Sequence, residues 1–257
     1  MELGLNGRVA VVTGASRGIG TAILRSLRDE GATVVNLDIR SPGSGRVGDL
    51  DLTCDVTSPS EVESAVSEID DTYGRIDVLV NNAGIMVEAP AESIEMAVWR
   101  RVFEVNVEGV LNMCQAVAPI MKRQAWGRIV NAASFAAIVP SVGSSAYAAS
   151  KAAVVQLSRT LASELGPWGI TVNSYAPGMV PTEMNGFEGL APAMRDAKLD
   201  QLAIRRWGTP EEVAQAVTFL ASECAGYITG SLLDVSGGKL ATQSPSTAYA
   251  APYAGGA

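Results

Sequence analysis

Val9-Ala10-Val11-Val12-Thr13-Gly14-Ala15-Ser16-Arg17-Gly18-Ile19-Gly20 passes from an unbroken apolar, β-branched run directly into three closely spaced glycines. Continuous rather than alternating hydrophobicity reads as a strand buried on both faces of a parallel sheet. Helical spacing of apolar residues over 19–30 places a helix immediately behind the glycines. Glycines let the backbone turn sharply and approach a pyrophosphate, while the helix N-terminus presents free N–H groups and the positive end of its dipole. A tight turn with close packing would explain the glycines alone; their place between strand and helix is what points to a dinucleotide.

Working outward, runs like the first recur at 33–37, 78–81, 128–131 and 170–174, and helical spacing recurs at 60–73, 99–123, 148–165 and 210–221. The alternation predicts right-handed βαβ units, and so an α/β, single-domain Rossmann fold: a doubly wound parallel sheet flanked by helices. Ser58-Pro59 ahead of Glu61, and Thr209-Pro210-Glu211-Glu212, read as N-caps followed by a first-turn proline and favourable acidic residues. No linker interrupts the pattern before residue 238, so 1–238 is expected to be one Rossmann-type domain. Inside it, 181–206 is long for a strand-to-helix connection and reads as a mobile lid. Residues 239–257, uncharged from Leu240 onward and rich in Ala, Ser, Pro and Gly, read as a flexible tail, with Tyr249 and Tyr253 leaving a docking role open.

The second run leads to Asp38, about 20 residues beyond the loop, where a carboxylate accepts both ribose hydroxyls of NAD and repels a 2′-phosphate. Arg17 and Arg40 pull the other way, because either guanidinium suits that phosphate. NAD is therefore the expected cofactor and NADP the alternative.

Composition removes several chemistries. The 257 residues include 19 Lys plus Arg against 27 Asp plus Glu, a formal charge of −8 that opposes nonspecific attraction to nucleic acid or an anionic membrane. Histidine is absent, which rules out Ser-His and Cys-His nucleophile pairs, His-ligated metals and imidazole acid–base work. Cys54, Cys114 and Cys224 stand far apart and read as small core residues in a reducing compartment. Residues 1–8 are unlike a secretory signal, and 129–150, though uncharged, contains Asn131 and Pro140 and makes a poor membrane span. A soluble cytoplasmic protein without a metal is expected.

Proton transfer without histidine needs another pair, and Tyr147 and Lys151 supply one. Four residues apart in a helical stretch, they share a face. An ammonium beside a phenol favours the phenolate and lowers its pKa. A surface pair on an amphipathic helix is the plain alternative. Ser134, 13 residues before Tyr147, follows a strand at the carboxyl end, where ligands bind in such sheets. Asn106 lies inside a long helix, where its amide does not help helix formation and is suited to a functional distortion, or simply faces solvent.

Taken in order, these motifs resemble the short-chain dehydrogenase/reductase family, oxidoreductase branch, from Leu5 to about Gly238. Thr13 to Gly20 matches the family's cofactor loop, Asn81-Asn82-Ala83-Gly84 its sheet-stabilising motif, and Ser134, Tyr147 and Lys151 its active site, with Asn106 at the fourth catalytic position. The resemblance implies cofactor contacts from Gly14, Ser16, Arg17, Gly18, Ile19, Gly20 and Asp38, and from Asp55 and Val56 at the adenine. It implies further contacts from Asn82, Ala83 and Gly84, from Tyr147 and Lys151, and from Pro177, Gly178, Val180 and Thr182 on the nicotinamide side. Tyr175, where a smaller aliphatic residue is usual, and Ser236-Gly237-Gly238, in place of Asp-Gly-Gly, depart from the pattern.

What the family implies is hydride transfer between the nicotinamide and a small-molecule secondary alcohol or ketone. In oxidation Tyr147 acts as base, Lys151 lowers its pKa and hydrogen-bonds the nicotinamide ribose, Ser134 donates to the substrate oxygen, and Asn106 holds a water between Lys151 and solvent. An NAD-dependent alcohol dehydrogenase is expected. An NADPH-dependent ketoreductase acting on an acyl or polyketide-like substrate is the enzymatic alternative. A noncatalytic dinucleotide-binding sensor is the reading from another class, and the complete tetrad argues against it. Met86, Glu88, Phe135, Ala136, Pro140, Met179, Met184 and Phe187 are candidate substrate contacts, with core or lid packing as the alternative for each. Glu88 and Glu183, if they face the site, disfavour an anionic substrate. The family also implies a homotetramer or homodimer, and Ala149, Ala152 and Ala153 permit close helix packing.

Overall fold

All five residues of β1 (Val9–Thr13) are buried, as an unbroken apolar run requires of a strand covered on both faces. The computed structural model describes residues 2–40, 47–183 and 186–249. Behind β1 come α1 (Gly18–Asp29), β2 (Thr33–Asp38), β3 (Leu50–Thr53), α2 (Pro59–Tyr73), β4 (Val78–Asn81) and α3 (Met96–Phe103). A π turn (Glu104–Glu108) joins α3 to α4 (Gly109–Gln124), followed by β5 (Gly127–Ala132), α5 (Ser145–Leu165), β6 (Ile170–Pro177), α6 (Pro192–Leu199), α7 (Pro210–Ala221) and β7 (Leu232–Val235).

The strands are parallel and ordered β3-β2-β1-β4-β5-β6-β7. This is the doubly wound Rossmann arrangement, and the strand order reverses between β1 and β4, where such sheets open a crevice. One apolar layer, including Ile69, Met113, Ile129 and Val154, fills the face under α2, α4 and α5. Ile23, Leu24, Val34 and Val217 fill the other, under α1 and α7. Both expected caps form: Ser58 Oγ accepts from Glu61 N, and Thr209 exchanges hydrogen bonds with Glu212 in a capping box.

Two edge strands escape a reading based on apolar runs. In β3 the sequence Leu50-Asp51-Leu52-Thr53 alternates and stays partly exposed, and β7 carries the exposed Asp234. The helix expected over 99–123 begins earlier and contains the π turn, with Asn106 inside it. Cys54 and Cys114 are buried, but Cys224 is exposed rather than a core residue. The lid region contains α6 and stacks Phe187 on Trp207 with ring centroids 5.3 Å apart. The tail is not featureless as far as 249: Tyr249 donates its hydroxyl hydrogen to Ala203 O at 2.7 Å, and Lys239 Nζ donates to Gln201 Oε1 at 2.7 Å. Tyr253 lies outside the described residues. Among the described residues, no helix is long and apolar enough to cross a membrane, and no group of ligating side chains could hold a metal.

Candidate active site

A cleft of about 410 Å³ opens over the carboxyl ends of β1, β2, β4, β5 and β6. Its floor begins at the glycine loop. A Cβ at Gly14, whose φ is +64°, would lie 2.8 Å from Ala83 Cα; one at Gly20 would lie 2.5 Å from Gly14 O and 2.7 Å from Ala15 Cα. Neither position admits a side chain, so the backbone itself shapes the cradle. Thr13 Oγ1 accepts from Asn82 N and Ala83 N, both at 3.0 Å, and Asn82 Nδ2 donates to Thr13 O at 3.0 Å and Gly14 O at 2.9 Å. The loop after β4 thus fastens the loop after β1.

At one end of the cleft the Asp38 carboxylate accepts from Ser16 N at 3.1 Å and from Arg40 N at 3.0 Å, one bond to each oxygen. Asp55 accepts from the N–H and hydroxyl of Thr57 and stands 3.5 Å from Arg101 Nη2. Burial opposes its ionisation, but the Thr57 donors and the Arg101 guanidinium outweigh burial and hold it below the usual carboxylate range. Arg17 pairs with Glu183 across the mouth.

At the other end Tyr147 and Lys151 line the cleft, while Ser134 and Asn106 stand beside them outside its lining. Tyr147 and Lys151 project from the first turns of α5, with Lys151 Nζ 5.8 Å from the phenol ring centroid. Ser134 caps a short turn after β5, where its Oγ accepts from Ala136 N at 3.1 Å. Lys151 Nζ donates to Ala132 O at 2.7 Å, and burial pushes its pKa down to about 8. Tyr147 departs from expectation. Burial pushes its ionisation upward and a hydrogen bond with Ser134 offsets only part of that, because the lysine spends its short contact on a carbonyl. Asn106 also differs: its Nδ2 donates to Ile85 O and Ser150 Oγ, both at 3.0 Å, and its Oδ1 accepts from Ile85 N at 2.8 Å. Both amide hydrogens are therefore committed to protein, and a water between Lys151 and solvent would meet Asn106 through an acceptor oxygen. The π turn aims that amide at the segment after Gly84.

Of the expected cofactor residues, Gly14, Arg17, Gly18, Ile19, Gly20, Asp38, Asp55, Val56, Asn82, Ala83, Gly84, Tyr147, Lys151, Pro177 and Thr182 line the cleft. Three do not. Ser16 Oγ accepts from Asn36 Nδ2, Gly178 packs on Ser236, and Val180 is buried in the layer under α7. The expected substrate contacts are also absent from the lining: Ala136 and Met179 are buried, Glu88 and Pro140 are exposed, Met86 and Phe135 are half-buried, Phe187 stacks on Trp207, and Met184 lies outside the described residues. Glu183 does line the cleft.

Sequence reasoning missed Ile39, Arg101, Ile85 and Tyr175 as lining residues. Arg101 sits on a helix remote in sequence from Asp55, so no local spacing could reveal it. Tyr175 is fully buried on β6, and its hydroxyl donates to Asn82 Oδ1 at 3.1 Å.

A sheet that reverses at a glycine loop, with a carboxylate at one end of the crevice and a Tyr-Lys pair at the other, backed by Ser134, defines a nicotinamide-dependent oxidoreductase. A family profile described as Enoyl-(Acyl carrier protein) reductase matches residues 14–239. The 3-oxoacyl-[acyl-carrier-protein] reductase of Thermotoga maritima is 40% identical over 243 residues, covering 91% of this chain and 98% of that protein. Its counterpart from Vibrio cholerae is 37% identical over 242 residues, covering 92% and 98%. Among solved structures, a gluconate 5-dehydrogenase from Burkholderia cenocepacia in complex with NADP and tartrate superposes with a TM-score of 0.90 at 33% identity, covering 94% of this chain and 98% of that one. The aldohexose dehydrogenase of Thermoplasma acidophilum gives 0.86 at 37% identity, covering 93% and 96%. The chain belongs to the short-chain dehydrogenase/reductase family.

Proposed function

We propose that the protein reduces a ketone on an acyl substrate of the 3-oxoacyl class to a secondary alcohol, with alcohol oxidation as the reverse. The observation that carries this reading is the Tyr147–Lys151 pair, with Ser134 beside it, at the end of the cleft in a chain 40% identical to a 3-oxoacyl-[acyl-carrier-protein] reductase over 91% of its length; burial keeps the phenol in its proton-donating form, as carbonyl reduction requires. The bound nicotinamide supplies the hydride. Tyr147 gives its proton to the carbonyl oxygen, and Ser134, which hydrogen-bonds the phenol in the free protein, turns its hydroxyl hydrogen to the same oxygen once substrate is bound. Lys151, with a pKa near 8, can pass a proton to the spent phenolate near neutral pH. Asn106 fixes the backbone at Ile85 beside Gly84 and so holds the wall facing Lys151. Exposed Ile138, Val139 and Val142, just beyond Ser134, offer an apolar flank for an acyl chain. The relatives named as 3-oxoacyl reductases support the same class.

Two cofactor readings rest on different observations. Asp38, with both oxygens already accepting and one lone pair left on each, suits the ribose diol of NAD and repels a 2′-phosphate. The Burkholderia structure solved with NADP, and Arg40 beside Asp38, favour NADP.

Turnover of NADH and NADPH should be followed with a 3-oxoacyl thioester and, in parallel, with secondary alcohols and aldohexoses. Faster reduction of the thioester supports the proposal. Sugar or alcohol oxidation without thioester reduction overturns it, and tight dinucleotide binding without any turnover restores the sensor. Light scattering tests the expected homotetramer or homodimer.

A further inference from the structure

We propose that Tyr175 is a positioning residue for the dinucleotide, one that orients the Asn82 amide and thereby holds the glycine loop in its receptive shape. The inference rests on the reading that this cleft takes a nicotinamide dinucleotide. Asn82 has two amide hydrogens and one acceptor oxygen, and the hydrogens go to Thr13 O and Gly14 O. Both bonds exist only if the oxygen faces away from the loop, and there it accepts the Tyr175 hydroxyl. A flipped amide would set its oxygen against two carbonyls, and the Tyr175 hydroxyl would lose the acceptor it now uses.

Reach explains why the residue is a tyrosine. Tyr175 lies on β6, Asn82 follows β4, and β5 separates the two strands. Neighbouring strands stand about 4.8 Å apart, so the hydroxyl bridges a span that a branched aliphatic side chain does not. The same amide nitrogen would be 2.7 Å from a Cβ at Gly20, which places it hard against the first turn of α1. A hydroxyl on one strand is thus linked through a single amide to the backbone that cradles the pyrophosphate. Burial, and after it the nearby Tyr147 phenol, push the ionisation of Tyr175 upward, so it serves as a neutral donor throughout the working pH range.

Tyr175→Phe removes the hydroxyl and keeps the ring. Calorimetric titration of this variant with NADH and NADPH should show the better cofactor binding about three- to tenfold more weakly, the worth of one hydrogen bond. At saturating cofactor, kcat should stay within about twofold of wild type. In an Asn82→Ala background the same substitution should cost no further affinity, since its route is already cut. Unchanged affinity, a loss confined to kcat, or a full further loss in the Asn82→Ala background each overturns the proposal. If Tyr175→Phe does not fold, Tyr175→Leu supplies the same readout, and failure of both to fold marks the residue as structural only and overturns it. Wild-type protein that binds neither dinucleotide refutes the cofactor reading itself; binding that is intact and indifferent to Tyr175 refutes only this inference.

Discussion

At the glycine-loop end of the cleft the working surface is backbone: Gly14 and Gly20 have no room for a Cβ, and Asp38 is held by two main-chain N–H groups. At the candidate catalytic end it is side chain: Tyr147 and Lys151 sit where burial, more than any neighbouring charge, shifts their ionisation. The first end is shaped by backbone; the second is governed by desolvation. Perturbing one end should therefore leave the signature of the other intact.

The largest break belongs to the catalytic end. Tyr147→Phe removes the transferable proton while keeping the ring, and should lower kcat by about 10² to 10⁴. Cofactor affinity, measured by titration, should change little. Retained turnover would show that the phenol is not the donor.

Next comes the buried lysine. Lys151 titrates near 8 in the folded protein against 10.5 for an ordinary lysine. Below about pH 8 both states are protonated and the fold bears the whole cost of the buried charge. Between about 8 and 10.5 the unfolded chain binds a proton that the native state has released, so stability rises with pH. Compared with Lys151→Met, wild type should gain on the order of 3 kcal/mol of unfolding free energy from pH 7 to pH 10.5. Denaturant melts of both proteins across that range check it; a flat difference would mean that the Ala132 carbonyl fully compensates the charge.

These two expectations mark the boundary of what the sequence disclosed. The glycine loop, the five central strands, the caps at Ser58 and Thr209 and the Tyr147 to Lys151 spacing are local patterns, and local patterns survive in a linear string. β3 and β7 left weaker traces, because an edge strand is exposed and its apolar content falls. The direction of the Tyr147 shift is not written in the sequence, for a different reason. Four residues of helix bring an ammonium near, but they do not say whether it will point at the phenol or at the carbonyl of Ala132. Nor could spacing show that Tyr175 reaches Asn82, a contact between residues 93 apart.

At the glycine-loop end, Gly20→Ala should act through shape. Its Cβ would meet Gly14 O and Ala15 Cα, both backbone atoms that cannot swing aside. Overpacking of this kind costs about 1–3 kcal/mol, and since the displaced atoms form the cradle, roughly 5- to 100-fold of cofactor affinity should go with it. Gly166→Ala, where nothing stands within 4 Å, is the control and should bind cofactor as wild type does. If the two variants bind equally, the cradle does not depend on that contact.

Asp38→Asn sharpens the contrast most finely, because it changes charge with almost no change of shape. The amide keeps one oxygen, so one of the two backbone donors, Ser16 N or Arg40 N, still finds its acceptor while the other meets an NH₂ group. Two effects then act in the same direction. An acceptor for the ribose diol is lost, which weakens NAD, and a negative charge that repels a 2′-phosphate is removed beside Arg40, which favours NADP. Together these should move the ratio of kcat/KM for NAD over NADP about tenfold toward NADP, the scale of one hydrogen bond to a charged group. The shift should persist across the pH range over which Lys151 titrates, since it arises at the other end of the cleft. A ratio that stays fixed would remove Asp38 from cofactor choice and leave Arg40 to decide it. A ratio that drifts with pH near 8 would show that the two ends are not independent.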